Sequence, residues 1–249
     1  MKGGMVVPRF FRSMESPARK GDTVTVDGQD AVHLRRSLRL QIGDEVLLCD
    51  GRSTEYTTRI TAFPENAVEL TVEAVTPSKA EPSLKVTLYQ GLPKSDKLEW
   101  IIQKCVELGV TDIVPLEMER CIMKLGDKAE KKLTRWQTIA NEAAGQSGRG
   151  ILPTVHPPLS FKAALQAMQG EKTIVCYEGG GKPFCELVSP ADTHVNLVIG
   201  PEGGIAPAEV EQLLAVGAEA ATLGPRILRC ETAPIAAVAV LMAMTDNLS

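Results

Sequence analysis

Two glycine-broken segments hold the residues best suited to chemistry in this chain. The first, Asn196-Leu197-Val198-Ile199-Gly200-Pro201-Glu202-Gly203-Gly204-Ile205, ends an apolar run in a proline, three glycines and one carboxylate. The second, Leu223-Gly224-Pro225-Arg226-Ile227-Leu228-Arg229-Cys230-Glu231-Thr232-Ala233, places two guanidiniums and a carboxylate between a glycine turn and an apolar stretch. A β-branched run such as Val195 to Ile199 predicts a buried strand, and a glycine loop at its carboxyl end is where α/β sheets open crevices for ligands. Adjacent glycines let backbone approach a ligand closely and take up positive φ. Pro207 to Leu214 predicts a helix start, with Pro207 in the first turn and acidic residues near the positive end of the dipole.

The ligand class narrows by exclusion. The dinucleotide fingerprint GxGxxG is absent, and the nearest mimic of a phosphate loop, Glu178-Gly179-Gly180-Gly181-Lys182-Pro183, has Pro183 where a hydroxyl must reach the metal. That stretch reads as a mobile surface loop. A carboxylate within Gly-Pro-Glu-Gly-Gly repels a pyrophosphate but tolerates a cationic or hydroxyl-rich ligand. The six cysteines lack CxxC pairing and the three histidines are scattered, so neither a zinc site nor a disulfide framework is signalled. Cys230, beside Arg229, reads as a bystander, since free cysteines behave mostly as small buried hydrophobes.

With these motifs in hand, the chain resembles the RsmE family of ribosomal RNA methyltransferases. The resemblance is carried by the Gly200 to Gly204 loop, by Leu223-Gly224-x-Arg226-Ile227-Leu228-Arg229-x-Glu231-Thr232-Ala233 and by Lys94-Ser95-Asp96-Lys97-Leu98-Glu99-Trp100 through Val110. Asn141-Glu142-Ala143-Ala144-Gly145-Gln146-Ser147-Gly148-Arg149 and Arg9-Phe10-Phe11 also match, in the same order from end to end. It implies an α/β fold: a SPOUT-type domain with a carboxyl-terminal trefoil knot, preceded by a small PUA-like β-barrel. Knots are rare exceptions to the rule that connections do not thread loops. It also implies S-adenosyl-L-methionine as cofactor, methylation of N3 of a specific uridine in small-subunit (16S) ribosomal RNA, and a homodimer that completes the active site. Ribosomal RNA or the small subunit is then the partner. Two other readings stay open: a SPOUT enzyme acting on a transfer RNA base or ribose hydroxyl, and an RNA-binding protein without catalysis.

Residue roles follow from the same resemblance. The matching cofactor positions are Ile199, Gly200, Pro201, Glu202, Gly203, Gly204, Leu223, Gly224, Ile227 and Leu228, held largely through main chain, so a Cβ added at Gly200 or Gly224 is expected to obstruct the cofactor. Arg229 is the catalytic or substrate-orienting candidate, because a guanidinium donates to a uracil carbonyl and stabilises negative charge growing on the ring. The alternative is an ion pair to Glu231 or to a helix end. Glu202 either accepts from ligand hydroxyls and assists deprotonation, or receives loop amides. RNA contacts are expected from Arg9, Arg12, Arg35, Arg36, Arg39, Lys94, Gln146 and Arg149, with Phe10 and Phe11 stacking bases or filling the barrel. Lys97 belongs to the substrate cleft or to a solvated helix face. Ala206 stands where relatives carry a capping hydroxyl, so the helix start is weakened by about 1 kcal/mol or finds another acceptor.

The elements that must position these groups fall into two series. At 249 residues and 44% hydrophobic, the chain is long enough for two modest cores. Residues 1–76 alternate short strands with turns, at 22–28, 43–51 and 69–75, around a basic helix over 33–40 with Leu34, Leu38 and Leu40 inward; this is a β-barrel pattern. Residues 77–82 read as linker. From 83 to 249 the pattern alternates strand and helix, which predicts a mostly parallel sheet. Strands are expected at 84–90, 112–115, 173–177, 195–199 and 221–223. Helices are expected at 96–108, 128–144, 161–168, 208–216 and 234–246, with Asp96 and Glu99 spaced as a capping box.

Net charge is −4, yet residues 1–40 carry eight basic against four acidic side chains, +4, leaving −8 for the remainder. That asymmetry marks the amino-terminal part as the RNA-gripping face or, equally, a solvated basic edge. No basic end followed by a sustained apolar run opens the chain, and the longest apolar stretch, 233–244, is short of the roughly 20 residues a membrane span needs. A cytoplasmic, soluble protein is expected, and Met5 is a second candidate start that would leave the first four residues dispensable.

Overall fold

The computed structural model describes residues 7–14, 16–126 and 129–248; the candidate start at Met5, and Lys2 and Glu15 of the charge count, lie outside them. The chain divides into two compact units. One comprises residues 1–81 with 145–152, the other 82–144 with 153–249.

The first unit is built on strands β1 (Arg9–Phe11), β2 (Thr23–Asp27), β3 (Glu45–Cys49), β4 (Thr54–Ala62) and β5 (Ala67–Pro77), in the order β1-β3-β4-β5-β2. Only β1 and β3 run parallel. β1 and β2 each pair with one neighbour, so the expected barrel is a half-open one. Alternation along β3, β4 and β5 buries Val46, Leu48, Tyr56, Ile60, Val68, Leu70 and Val72 on one face. β4 has no counterpart in the sequence reading because its inward set includes Thr58, fully buried, whose Oγ1 donates to the Val46 carbonyl at 2.7 Å. The basic helix extends earlier than expected, as α1 (Gly28–Val32) running into a π-turn over His33–Ser37. Leu34 is buried there, but Leu38 is 39% exposed because the turn ends before reaching it.

Residues 145–152 complete this unit. Ser53 N–H donates to the Gly150 carbonyl and Leu152 N–H to the Gly51 carbonyl, at 3.0 and 3.2 Å. A Cβ on Gly150 would collide with Ser78, so only glycine allows the close pass.

The second unit carries an all-parallel sheet. Its strands are β6 (Lys85–Gly91), β7 (Asp112–Glu117), β8 (Thr154–Val155), β9 (Leu159–Ser160), β10 (Thr173–Cys176), β11 (Lys182–Pro183), β12 (His194–Ile199) and β13 (Glu219–Thr222). Their order is β11-β13-β10-β12-β6-β7-β8, with β9 also beside β7. β12 is central and Val195 to Ile199 are all buried, as a strand covered on both faces requires. The short edge strands β8, β9 and β11 were not expected; with two residues each they have no period to read. β11 lies inside the stretch read as a mobile loop. That stretch is pinned, since a Cβ on Gly181 would strike the Ala220 backbone.

Helices α2 (Lys97–Glu107), α3 (Ala129–Gln146), α4 (Phe161–Met168), α5 (Phe184–Leu187), α6 (Pro207–Ala215) and α7 (Thr232–Met244) complete the described elements. α2 packs on α7, and α7 also meets β6. The capping box expected on α2 does not form: Asp96 makes no capping bond, and Glu99 is held by Arg135 in a two-pronged contact at 2.6 and 2.7 Å. At α6, Ala206 has no side-chain acceptor, and the Glu209 carboxylate instead receives the Ala206 and Glu119 N–H groups.

Candidate active site

Parallel strands bring their carboxyl ends to one edge, and here that edge collects the ends of β10, β12, β13 and β6. The loops that leave these ends enclose a cavity of about 800 Å³, lined by residues 176–180, 199–204 and 222–230 together with Lys97 and Ala233. That size is ordinary for a small-molecule or cofactor site. Ile199, Gly200, Pro201, Glu202, Gly203, Gly204, Leu223, Gly224, Ile227 and Leu228, expected at a cofactor site from sequence, all line it, as does Arg229, the catalytic candidate.

The glycine loop is held by tight packing that tolerates no extra carbon. A Cβ on Gly200 would sit 2.8 Å from Ile205 Cγ1 and 3.0 Å from the Gly204 carbonyl carbon, and one on Gly204, at φ +70°, would run into the Glu178 carboxylate. Beneath, a Cβ on Gly91 at the end of β6 would lie 2.6 Å from Pro201 Cδ and 2.7 Å from Pro201 N. A Cβ at Gly200 therefore acts by displacing the loop itself. Gly224 differs: an added Cβ meets nothing within 4 Å, so its cost lies in the strained φ of +97° and in whatever enters the cavity. Buried Gln90 braces the floor by donating from Nε2 to the Gly91 and Gly200 carbonyls at 3.1 and 3.3 Å.

Glu202 does not point free into this space. Its carboxylate accepts the Lys94 N–H at 3.0 Å and pairs with Lys97 Nζ at 3.2 Å. Burial pushes its pKa up, but its own backbone amide, the Lys94 amide and the Lys97 ammonium together hold it below the usual carboxylate range. The amide-receiving alternative is the one realised, and a carboxylate so occupied is a poor proton acceptor. Glu231 is likewise taken, by Lys97 Nζ at 3.1 Å and by the Cys230 thiol at 3.2 Å. Cys230 is itself buried, and burial with the Glu231 hydrogen bond pushes its thiol up to about 12. It remains a neutral packing group.

The Arg229 to Glu231 ion pair weighed from sequence is absent: among the described residues the Arg229 guanidinium has no hydrogen bond or ion pair and is exposed at the cavity rim. Its main-chain carbonyl does cap α7, accepting from Thr232 and Ala233 N–H at 2.9 Å. Arg226 and Ile227 flank it, Ile227 88% exposed. Sequence reasoning passed over Tyr177 and Glu178 in this lining, because a four-residue strand ending in Cys176 gives little sign that its successors face a cavity.

The basic side chains expected to meet RNA separate into two groups. Arg9 and Arg149 are engaged within the first unit. Arg149 is 2% exposed and bonds the Glu81 carboxylate at 2.9 Å, while Arg9 binds Glu55 at 2.7 Å and the Arg149 carbonyl at 3.1 Å. Arg149 is a buried brace, and Arg9, with a side chain 14% exposed, is engaged within the same unit. Phe10 packs against the first unit's core and meets the His33 ring edge-on, so it serves the barrel alternative. Arg12 pairs with Asp27, and Arg35 donates to the Pro64 and Glu65 carbonyls while lying over the Phe63 ring. Arg36, Arg39, Lys94 and Gln146 are exposed. No group of metal-ligating side chains occurs among the described residues, and no helix there is long and apolar enough to cross a membrane.

Comparison with known proteins bears on this arrangement. Residues 79–242 match the family model described as RNA methyltransferase domain, and residues 26–73 the one described as RNA methyltransferase PUA domain. The chain is 37% identical over 248 residues to the ribosomal RNA small subunit methyltransferase E of Bacillus subtilis, covering 96% of this chain and 97% of that protein. Its structure is similar to that of ribosomal RNA small subunit methyltransferase E from Neisseria gonorrhoeae bound to S-adenosyl methionine, with 34% identity, 96% and 98% coverage and a TM-score of 0.85. It is also similar to a Legionella pneumophila methyltransferase in complex with the same cofactor, with 29% identity, 96% and 98% coverage and a TM-score of 0.84. With a family model over most of the second unit and a relative alignable from end to end, the chain belongs to the ribosomal RNA small subunit methyltransferase E family of RNA methyltransferases.

Proposed function

We propose that this chain uses S-adenosylmethionine to methylate N3 of one uridine in small-subunit ribosomal RNA. The observation that carries the reading is the cavity at the β10, β12 and β13 ends, lined by residues 199–204 and 223–228, with the unpaired Arg229 guanidinium at its rim. The residues suit such a ligand. Glycines with no Cβ leave room for a ligand to approach the backbone, and Glu178 adds a carboxylate compatible with a cationic, hydroxyl-bearing group. When bound, S-adenosylmethionine supplies an electrophilic methyl group.

The chain's own contribution is positioning and charge. N3 of uridine must release its proton, here to water, before its lone pair can take the methyl, and the negative charge that this leaves is shared by N3 and the two carbonyl oxygens. Arg229 donates to one of them and stabilises that charge as it develops, the kind of contact that acts more strongly on the transition state than on the ground state. Gly200 to Gly204 and Leu223 to Leu228 hold the donor so that the transfer is in line. Lys97 and the Lys94 amide keep Glu202 ionised and engaged, which fixes the loop and leaves Glu202 out of proton transfer.

RNA is gripped through Arg36 and Arg39 of the first unit, which we assign as a PUA-like RNA-binding domain over 1–76, through Gln146 of the segment 145–152 that completes that unit, and through Lys94 of the methyltransferase domain, assigned over 83–249. A trefoil knot is supported by the path of the chain. β13 lies beyond β10 and β12, yet α7 returns to pack on α2 and β6, so the segment 223–231 crosses the ends of strands already laid down. A homodimer in the cytoplasm fits the apolar α7, where Val240 is 38% exposed, and its neighbour α2, where Trp100 is 52% exposed. The reading that keeps the fold but assigns another RNA target makes the same demands on Arg229 and the cavity.

Incubation of the purified chain with S-adenosylmethionine and either small subunits or naked small-subunit RNA, followed by nucleoside mass spectrometry, tests the assignment. One N3-methyluridine is expected. A methyl group on a ribose or another base, or none at all, would refute it.

A further inference from the structure

Lys97 lies in the first turn of α2, and its ammonium sits between two carboxylates that are far apart in the chain. Nζ is 3.2 Å from Glu202 Oε1, on the glycine loop after β12, and 3.1 Å from Glu231 Oε2, at the start of α7. Each carboxylate has a further donor from its own surroundings, the Lys94 amide for Glu202 and the Cys230 thiol for Glu231. Glu202 belongs to one segment that lines the cavity, 199–204, Glu231 directly follows another, 222–230, and Lys97 itself lines it. The side chains of Lys97, Glu202 and Glu231 are 35%, 26% and 21% exposed, so neither ion pair is buried deeply enough to add much global stability. What the arrangement does supply is geometry: one cation fixes two main-chain walls at a set separation, and without it two carboxylates face each other across the gap.

We propose that Lys97 is a positioning residue, a latch that locks the glycine loop to the segment before α7 and so pre-forms the cofactor cavity. The proposal rests on the reading that this cavity takes S-adenosylmethionine, but its structural half is measurable without ligand. Ammonium and guanidinium can each bridge two carboxylates, whereas a methionine of similar length cannot. The full chain is therefore compared as wild type, Lys97→Met and Lys97→Arg.

Amide hydrogen exchange of the ligand-free proteins reads the latch directly. In Lys97→Met, peptides covering 200–204 and 228–231 are expected to exchange together, faster by about tenfold, with β6 and β12 unchanged and Lys97→Arg restoring protection. Calorimetric titration with S-adenosylhomocysteine should show affinity weakened by about tenfold in Lys97→Met, and KM for S-adenosylmethionine should rise by a similar factor while kcat changes much less. Exchange at wild-type rates in both loops, or acceleration of only one, would overturn the latch. So would equal acceleration of β6 and β12, which would make Lys97 a residue of general stability. If both loops loosen in Lys97→Met but the wild type binds no S-adenosylhomocysteine, the latch stands and the cofactor reading fails.

Discussion

Replacing Arg149 with methionine removes one half of an ion pair that the first unit has taken out of water. The Arg149 side chain is 2% exposed and that of Glu81 9%, with Nη2 to Oε2 at 2.9 Å. The Glu81 carboxylate also receives the Gly150 and Ile151 N–H groups at 2.8 and 2.9 Å, and the Arg149 carbonyl receives Arg9 Nε at 3.1 Å. Breaking a buried pair by removing one partner costs about 3–5 kcal/mol, because the charge left behind is desolvated and uncompensated. Arg149→Met should therefore destabilise the chain by about 3 kcal/mol or more, which for a chain of this size lowers the melting temperature by about 6–12 °C. Glu81→Leu should cost at least as much, since it strands the guanidinium and also leaves two amides short of an acceptor, each worth about 1–3 kcal/mol. The double variant should lose less than the sum of the two, the signature of a coupled pair. Urea unfolding followed by circular dichroism gives the free energies, and amide exchange in β3 and β4 shows that the loss lies in the first unit. Arg135→Ala, which breaks an exposed pair with Glu99, serves as the control and should change stability little. The reasoning is refuted if Arg149→Met leaves stability within about 0.5 kcal/mol of wild type while weakening RNA binding, for that is the behaviour of a solvent-facing contact.

Three further outcomes follow from the site. Gly91→Ala, whose Cβ must displace the Pro201 backbone from 2.7 Å, should weaken S-adenosylhomocysteine binding by about tenfold or more in calorimetry, and unchanged affinity would show that the loop is not braced from below. Glu202 and Glu231 are both held below their ordinary value of 4.5, so the order they confer is complete above that pH and is lost as the pH falls through their lowered values in the fold. Cofactor affinity should accordingly be flat around neutrality and decline only in acid below 4.5; a decline already near neutral pH would contradict this. Arg36→Ala and Arg39→Ala should each weaken RNA binding similarly across sequences and lower the salt slope by about 0.7–0.9 per lost phosphate contact, whereas an unchanged slope would remove that arginine from the interface.

The cavity walls were legible in the sequence because their signals are local and strong. A β-branched run that stops at Gly-Pro-Glu-Gly-Gly has few structural uses besides a strand end opened to a ligand, and Val195 to Ile199 is the buried centre of the sheet. The roles of charged side chains were legible only in part, since they depend on partners distant in sequence. Arg9 and Arg149 read as RNA contacts until Glu55 and Glu81 are seen beside them. Glu99 looked like a cap because its spacing from Asp96 fits one, but Arg135, in α3, takes both of its oxygens. Lys97 looked like one more cation on a helix face, and only the fold brings Glu202 and Glu231 to it. β4 escaped notice because a threonine does the work of an apolar residue by satisfying its hydroxyl on the neighbouring strand. The amphipathic period of α4 did fix its limits, which match expectation at both ends.

The most direct test of the account is to map methylated uridines in ribosomal RNA by mass spectrometry in cells that lack this protein, complemented with wild type or with Arg229→Ala. The expected result is loss of one N3-methyluridine from small-subunit RNA, restored by wild type and not by Arg229→Ala, with both proteins present at equal level. Full restoration by Arg229→Ala would reduce Arg229 to its main-chain role in capping α7, and an RNA unchanged by deletion would contradict the assignment of the substrate.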